Sequence, residues 1–116
     1  MKHLTWIFLL TLALPIHAHD SEGVYTSLGL GTVSCTTAAG EMAGSEQYGA
    51  FVTGYLTAMN AWLDNNLEDL AFGTDVQRIT LWLQEYCGAN PEKNLADAMS
   101  AVAVELARLQ TPPAEE

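Results

Sequence analysis

Two apolar stripes at helical spacing constrain the fold of this chain more than any other feature. In both stripes the apolar side chains fall at i, i+3, i+4, i+7, i+11 and i+14. This period places each set on one face of an α-helix, because the side chains of a strand alternate every second residue. We therefore predict one helix from about Glu46 to Asp64 and another that ends near Gln110, each needing a partner surface. The first stripe consists of Tyr48, Phe51, Val52, Tyr55, Met59 and Trp62, and the second of Leu95, Ala98, Met99, Val102, Leu106 and Leu109.

Capping residues predict where the other long helix lies and where the last one begins. Thr74 can cap a helix that Gly88 then closes. Asn90 followed by Pro91 is a typical helix start, so the last helix is expected to begin there. The apolar face of the helix between Thr74 and Gly88 consists of Val76, Ile79, Leu83 and Tyr86, with Trp82 beside it.

The rest of the chain offers one short helix and only a weak strand signal. The short helix is predicted over about 36–43, although Gly40 and Gly44 weaken it. Only residues 24–26 alternate at all, and they do so weakly. We predict an all-α fold, a small helical bundle of three long helices and one short helix.

The first eighteen residues have the pattern of a secretory signal peptide. A basic start at Lys2 precedes an apolar stretch from Leu4 to Leu14, and the small Ala18 stands at the expected cleavage site. The apolar stretch is about eleven residues long, short of the roughly 20 that span a bilayer. We therefore predict cleavage near Ala18 and a soluble protein, without a membrane anchor, in the periplasm or secreted.

Cleavage would leave about 98 residues, enough for one hydrophobic core but not for two. We divide the chain into the signal peptide (1–18), an N-terminal segment that is partly extended or disordered (19–32), a helical domain (33–110) and an acidic tail (111–116). Hydrophobic residues make up 49% of the chain, so the domain can bury a core.

Cys35 and Cys87 are the two cysteines of the chain. An even pair in a small exported domain is most often a disulfide, because export delivers it to an oxidising compartment. The alternative is two separate thiols or a catalytic cysteine, which needs a base to form the thiolate. The only histidine after the signal peptide is His19, at the new terminus, so we predict a disulfide.

The chain is strongly acidic, with 14 Asp and Glu against 4 Lys and Arg and a net charge of −10. Such a surface repels phosphate backbones, which excludes nucleic acid as a partner. The same field attracts a basic protein.

No residue pattern points firmly to catalysis or to metal binding. Asp64, Asn66, Glu68 and Asp75 fall at positions 1, 3, 5 and 12 of a calcium-type loop, but Asp69 replaces the glycine at position 6. We interpret this stretch as a solvated acidic loop. We predict no catalytic residue, no metal and no cofactor, and therefore no enzyme. An enzyme or small-ligand carrier that uses a cavity among the Tyr and Trp residues is the alternative from another class.

Gly54 stands inside a strongly periodic helix, where glycine costs about 1 kcal/mol relative to Ala. We expect another helix, such as the one carrying Trp82, to cross close to it. In the functional interpretation, Gly54, Tyr55 and Asn60 belong to a recognition groove. The remaining aromatic candidates are core residues first and binding anchors second, namely Tyr48, Trp62, Trp82 and Tyr86.

Several of these motifs together resemble a family of small periplasmic proteins, the HdeA/HdeB-like proteins. The resemblance covers about 33–108 and rests on Cys35, a Gly54-Tyr55 helix with Asn60, and a Tyr-Cys-x-x-Asn-Pro motif from Tyr86 to Pro91 that opens the last helix. It implies a helical bundle with Cys35 bridged to Cys87 and, in the named members, acid-activated chaperoning of periplasmic proteins.

A weaker resemblance links the Gly-Tyr helix to the Rap1a/Tai immunity proteins. Those are small disulfide-bonded helical proteins that block a secreted cell-wall amidase. Their terminal cysteine pattern is missing from this chain.

This chain departs from an acid chaperone in its low positive charge. After cleavage and full protonation it carries Arg78, Lys93, Arg108, His19 and the α-amine, about +5. We expect a non-enzymatic, exported protein-binding module, HdeA-like in fold. Chaperone-like client binding and immunity-type inhibition are the two candidate roles, and the sequence leaves a homodimer open.

Overall fold

The computed structural model describes residues 25–62 and 68–111, and the regular structure within these ranges is helical. A short 3₁₀ turn (Gly29–Thr32) precedes α1 (Cys35–Glu41) and α2 (Glu46–Trp62). The second half of the chain forms α3 (Val76–Ala89) and α4 (Leu95–Gln110). The predicted all-α class is therefore confirmed, while the predicted signal peptide lies outside the described residues.

The predicted caps of α3 are wrong at both ends. Asp75, not Thr74, is the N-cap, because its carboxylate accepts a hydrogen bond from the Arg78 amide at 2.8 Å. Gly88 lies inside the helix instead of closing it. The helix ends at Asn90, whose side-chain amide donates to the carbonyl of Tyr86 at 2.8 Å.

The start of α4 also differs from the prediction. Asn90 is used at the end of α3, so the Asn90-Pro91 pair does not open the last helix. Asn94 is the N-cap instead, and it forms a reciprocal capping box with Asp97. The backbone amides of Asn94 and Asp97 each gain a hydrogen-bond acceptor in this way, which fixes the start of α4 at Leu95.

A disulfide and a pair of backbone hydrogen bonds join three helix ends at one end of the domain. Cys35, the first residue of α1, is bonded to Cys87 in the last turn of α3, with the two Cα atoms 4.6 Å apart. The predicted disulfide is therefore confirmed. Beside it, the Cys35 amide donates to the Lys93 carbonyl and the Leu95 amide to the Val33 carbonyl, both at 2.9 Å. The starts of α1 and α4 therefore lie side by side against the end of α3.

The core is built around α4, which contributes more buried residues than any other described helix. The predicted stripe on this helix is buried as far as Leu106, whereas Leu109 at its end is exposed. On α2, Tyr48 and Val52 are buried and the next residues of the stripe are half-buried. The α4 residues in the core are Leu95, Ala96, Ala98, Met99, Val102, Ala103 and Leu106.

The disulfide should contribute a large share of the stability, because it closes a loop across a sequence separation of 52. A loop of this length stabilises a fold by roughly 4 kcal/mol in the chain-entropy account. We predict that the double variant Cys35→Ser/Cys87→Ser lowers the melting temperature by more than about 10 °C, as measured by circular dichroism.

A thiol assay on the denatured, unreduced wild-type protein is the matching control, and it should detect no free thiol. Two free thiols, or a double variant that melts with the wild type, would show that the bond does not support the fold.

Candidate functional site

The structure distributes the predicted site residues over α2 and α3 and does not gather them into one site. Tyr48, Gly54, Tyr55, Asn60 and Trp62 lie along α2, and Trp82 and Tyr86 lie on α3.

Tyr48 is a core residue that joins α1 to α2. Its ring is buried, and its hydroxyl donates to the Glu41 carboxylate at 2.9 Å. Burial, and secondly the neighbouring carboxylate, raise the pKa of the phenol above its ordinary value of 10.0. In the folded protein the Tyr48 phenol is therefore neutral and donates this hydrogen bond.

Asn60 fixes the segment around Asp69 and Leu70. Its carbonyl oxygen accepts from the amide of the buried Leu70 at 2.8 Å, and its amide donates to the Asp69 carboxylate at 3.3 Å. From the other side, the Gln110 amide donates to the carbonyls of Asp69 and Leu70 at 3.1 and 2.7 Å. The ends of α2 and α4 are therefore held to the same short segment.

The predicted helix crossing at Gly54 is wrong. Gly54 is exposed, and a Cβ atom built on it would meet nothing within 4 Å. The close approach occurs instead at Gly31 in the 3₁₀ turn, where a Cβ would lie 3.4 Å from that of Ala96 and 3.5 Å from the Phe51 ring. The sequence has no apolar period around Gly31, so no local pattern predicts that this glycine is buried.

Trp82 and Tyr86 form an aromatic pair on one face of α3. Their rings stack with centroids 5.3 Å apart and an interplanar angle of 13°. Both residues are half-buried against the core. They support α3 and present only part of their surface to solvent.

Tyr55 lies beside a cavity of about 350 Å³ between α2 and the N-terminal segment. Apolar side chains of Leu28, Phe51 and Met59 line it. The hydroxyl groups of Tyr55 and Ser100 lie 3.0 Å apart, and the Tyr25 hydroxyl lies 3.3 Å from that of Ser100. Of the predicted candidates, only Tyr55 is at this cavity, since Trp82 and Tyr86 are not among its lining residues.

An exposed apolar surface lies at the end of the domain opposite the disulfide. We call it the apolar end and define it by Phe72 and Leu109, which together with the buried Leu106 line an open depression of about 560 Å³. Phe72 is 77% exposed and Leu109 is 64% exposed. Leu109 belongs to a stripe that is predicted to be buried, and no local pattern singles out Phe72, because exposure at a helix end depends on where the neighbouring helices stop.

Trp62 lies at the same end of the molecule. It lies two residues beyond Asn60, at the end of α2, and is 87% exposed. Its predicted place in the apolar stripe does not bury it. As an indole left in solvent, it is available for contact with another molecule.

The described residues contain no cluster of three or more His, Cys, Asp or Glu that could hold a metal ion. Both cysteines are in the disulfide, so neither offers a thiolate. No helix in ranges 25–62 and 68–111 is long and apolar enough to cross a membrane. The surfaces described above offer apolar contacts on an acidic domain.

The fold and its surfaces define a small, disulfide-closed, all-helical domain. Comparisons with protein-family models, curated proteins and solved structures found no match to the chain.

Since Gly54 is an exposed residue inside a helix, replacing it should stabilise the protein. We predict that Gly54→Ala raises the free energy of unfolding by about 0.5–1 kcal/mol in urea titration. Gly44→Ala is the contrasting control, because Gly44 has a φ of +69° and Ala is strained in that conformation. A lower free energy of unfolding in Gly54→Ala would instead support the predicted helix crossing.

The raised pKa of Tyr48 predicts a specific alkaline dependence. A phenol whose pKa is higher in the folded state stabilises the fold below its ordinary value of 10.0, and this contribution is lost as the pH rises through the folded pKa. The wild type should therefore exceed Tyr48→Phe in unfolding free energy at about pH 8, and the difference should shrink by about pH 11. A difference that stays constant over this range would contradict the assignment.

Proposed function

We propose that this chain is a non-enzymatic, exported protein-binding protein with chaperone-like affinity for periplasmic clients. The observation that carries the proposal is the apolar end, where Phe72 and Leu109 remain exposed in the folded domain. Contiguous exposed apolar surface on a small domain typically marks an interaction site. The resemblance to the HdeA/HdeB-like proteins agrees with this role.

The apolar end is suited to binding unfolded client segments, whose apolar side chains are no longer buried in the client's own core. Burying apolar surface stabilises a complex by roughly 25 cal/mol per Å². This contribution does not require a defined sequence in the client. Such contacts select unfolded segments over folded surfaces. Since these side chains are exposed in the folded domain, client binding needs no prior unfolding of this protein.

The disulfide supports export as the setting for this role. Structural disulfides persist in oxidising compartments and are rare in reducing ones. Together with the predicted signal peptide over 1–18, the Cys35–Cys87 bond favours the periplasm or the exterior.

Acid would remove most of the negative charge of the chain. The chain carries 14 carboxylate side chains, and protonating them removes their mutual repulsion and leaves the protein weakly positive. Weak positive charge limits how well a client complex stays dispersed. We therefore expect modest client protection in acid.

The experiment measures light scattering of an unrelated acid-labile protein at about pH 2–3, with and without this protein. We predict reduced scattering with an excess of wild type and a loss of most of this effect in Phe72→Ser/Leu109→Ser. The matched control is Val104→Ser, because Val104 is 72% exposed on the same helix as Leu109 but does not line the depression. Equal protection by all three proteins would contradict a role for the apolar end.

The acidity of the chain favours a second candidate, an immunity-type inhibitor of a secreted effector. A net charge of −10 attracts a basic partner at neutral pH, and salt would weaken that complex. No protection by the wild type in acid, combined with a salt-sensitive complex with one partner at pH 7, would replace the chaperone proposal with this one.

A further inference from the structure

An open groove lies between the start of α2 and the outer face of α3, on a different part of the surface from the apolar end. Its volume is about 480 Å³. Met42, Glu46 and Gly49 lie on one side, and Val76, Leu81 and Gln84 on the other. Met42 is buried at the groove's inner side, while Leu81 is 63% exposed.

Gly49 leaves open space on the α2 side of the groove. Gly49 lies in the first turns of α2, and a Cβ atom built there would meet nothing within 4 Å. A glycine inside a helix costs about 1 kcal/mol relative to Ala. The chain keeps this cost at a place where a larger residue would occupy the space beside Leu81.

The charged residues in and beside the groove are mostly negative. Glu46 is the only charged residue among the described residues that line it. Glu41 directly precedes Met42, and Glu85 lies one helical turn after Leu81. Arg78, one helical turn before Leu81, is the one positive charge on this stretch of α3, and like Glu41 and Glu85 it does not line the groove.

We propose that this groove binds an amphipathic segment of a partner protein, with apolar side chains facing the groove and Lys or Arg along its flanks. The wall from Val76 to Gln84 extends about 12 Å along the helix axis, enough for two apolar side chains one turn, about 5.4 Å, apart. Basic flanking residues complement Glu46 and the net charge of −10. A second copy of this acidic chain lacks that complementarity. The inference goes beyond client binding, because it concerns another surface and a partner of defined chemistry.

Two glycines of α2 provide a matched pair of variants for the test. Gly49→Leu puts a side chain into the groove, whereas Gly54→Leu places the same side chain on the same helix away from it. Neither substitution meets a neighbouring atom at its Cβ, so both variants should fold. Circular dichroism and melting curves verify this before binding is measured.

The probe is a fluorescein-labelled amphipathic helical peptide of Leu and Lys, titrated with the full chain and followed by fluorescence anisotropy. We expect wild type and Gly54→Leu to bind within about twofold of each other and Gly49→Leu to bind at least about tenfold more weakly. Binding should weaken as salt rises from about 20 to 200 mM, and a Leu and Glu peptide should not bind. Equal binding by the two leucine variants, or no binding by the wild type, would overturn the proposal.

The double variant Phe72→Ser/Leu109→Ser separates this inference from the proposed client binding. It should bind the Leu and Lys peptide like the wild type, because neither residue lines the groove. Weakening of peptide binding in this variant to the level of Gly49→Leu would assign the peptide to the apolar end and overturn the groove. Client protection and groove binding can therefore fail independently.

Discussion

The covalent bond between Cys35 and Cys87 is the constraint on which the arrangement of helices depends. It joins the first residue of α1 to the last turn of α3, across most of the described chain. The backbone hydrogen bonds from Cys35 to Lys93 and from Leu95 to Val33 then bring the start of α4 to the same place. With three helix ends fixed, α4 can bury its apolar face against the other helices.

The opposite end of the domain is held by weaker interactions. There, Asn60 and Gln110 bind the backbone around Leu70 through side-chain hydrogen bonds, each contributing roughly 1 kcal/mol. The apolar residues Phe72 and Leu109 stay in solvent at this end because no described helix extends over them. The domain therefore combines a covalently closed end with an end that offers apolar surface.

The apolar period correctly predicted features that depend on the sequence of a single helix. It failed for features that are determined by the neighbouring elements. The stripe from Leu95 to Leu106 was predicted because burial of one helix face leaves a local repeat. The start of α4 was misplaced because Asn90 and Asn94 are both good caps, and only the contacts of each decide its use. The exposed ends of the stripes, at Trp62 and Leu109, depend on where other helices stop, which no local pattern records.

The glycines of α2 show why a candidate site could not be derived from the sequence. Gly49 and Gly54 carry the same helix penalty, and each has open space at its Cβ. The position of α3 distinguishes them, because Leu81 of α3 lines the same groove as Gly49, whereas Gly54 does not line it. The energetic cost of a glycine therefore does not by itself identify a binding site. The tertiary structure decides at which glycine the missing side chain leaves room for a partner.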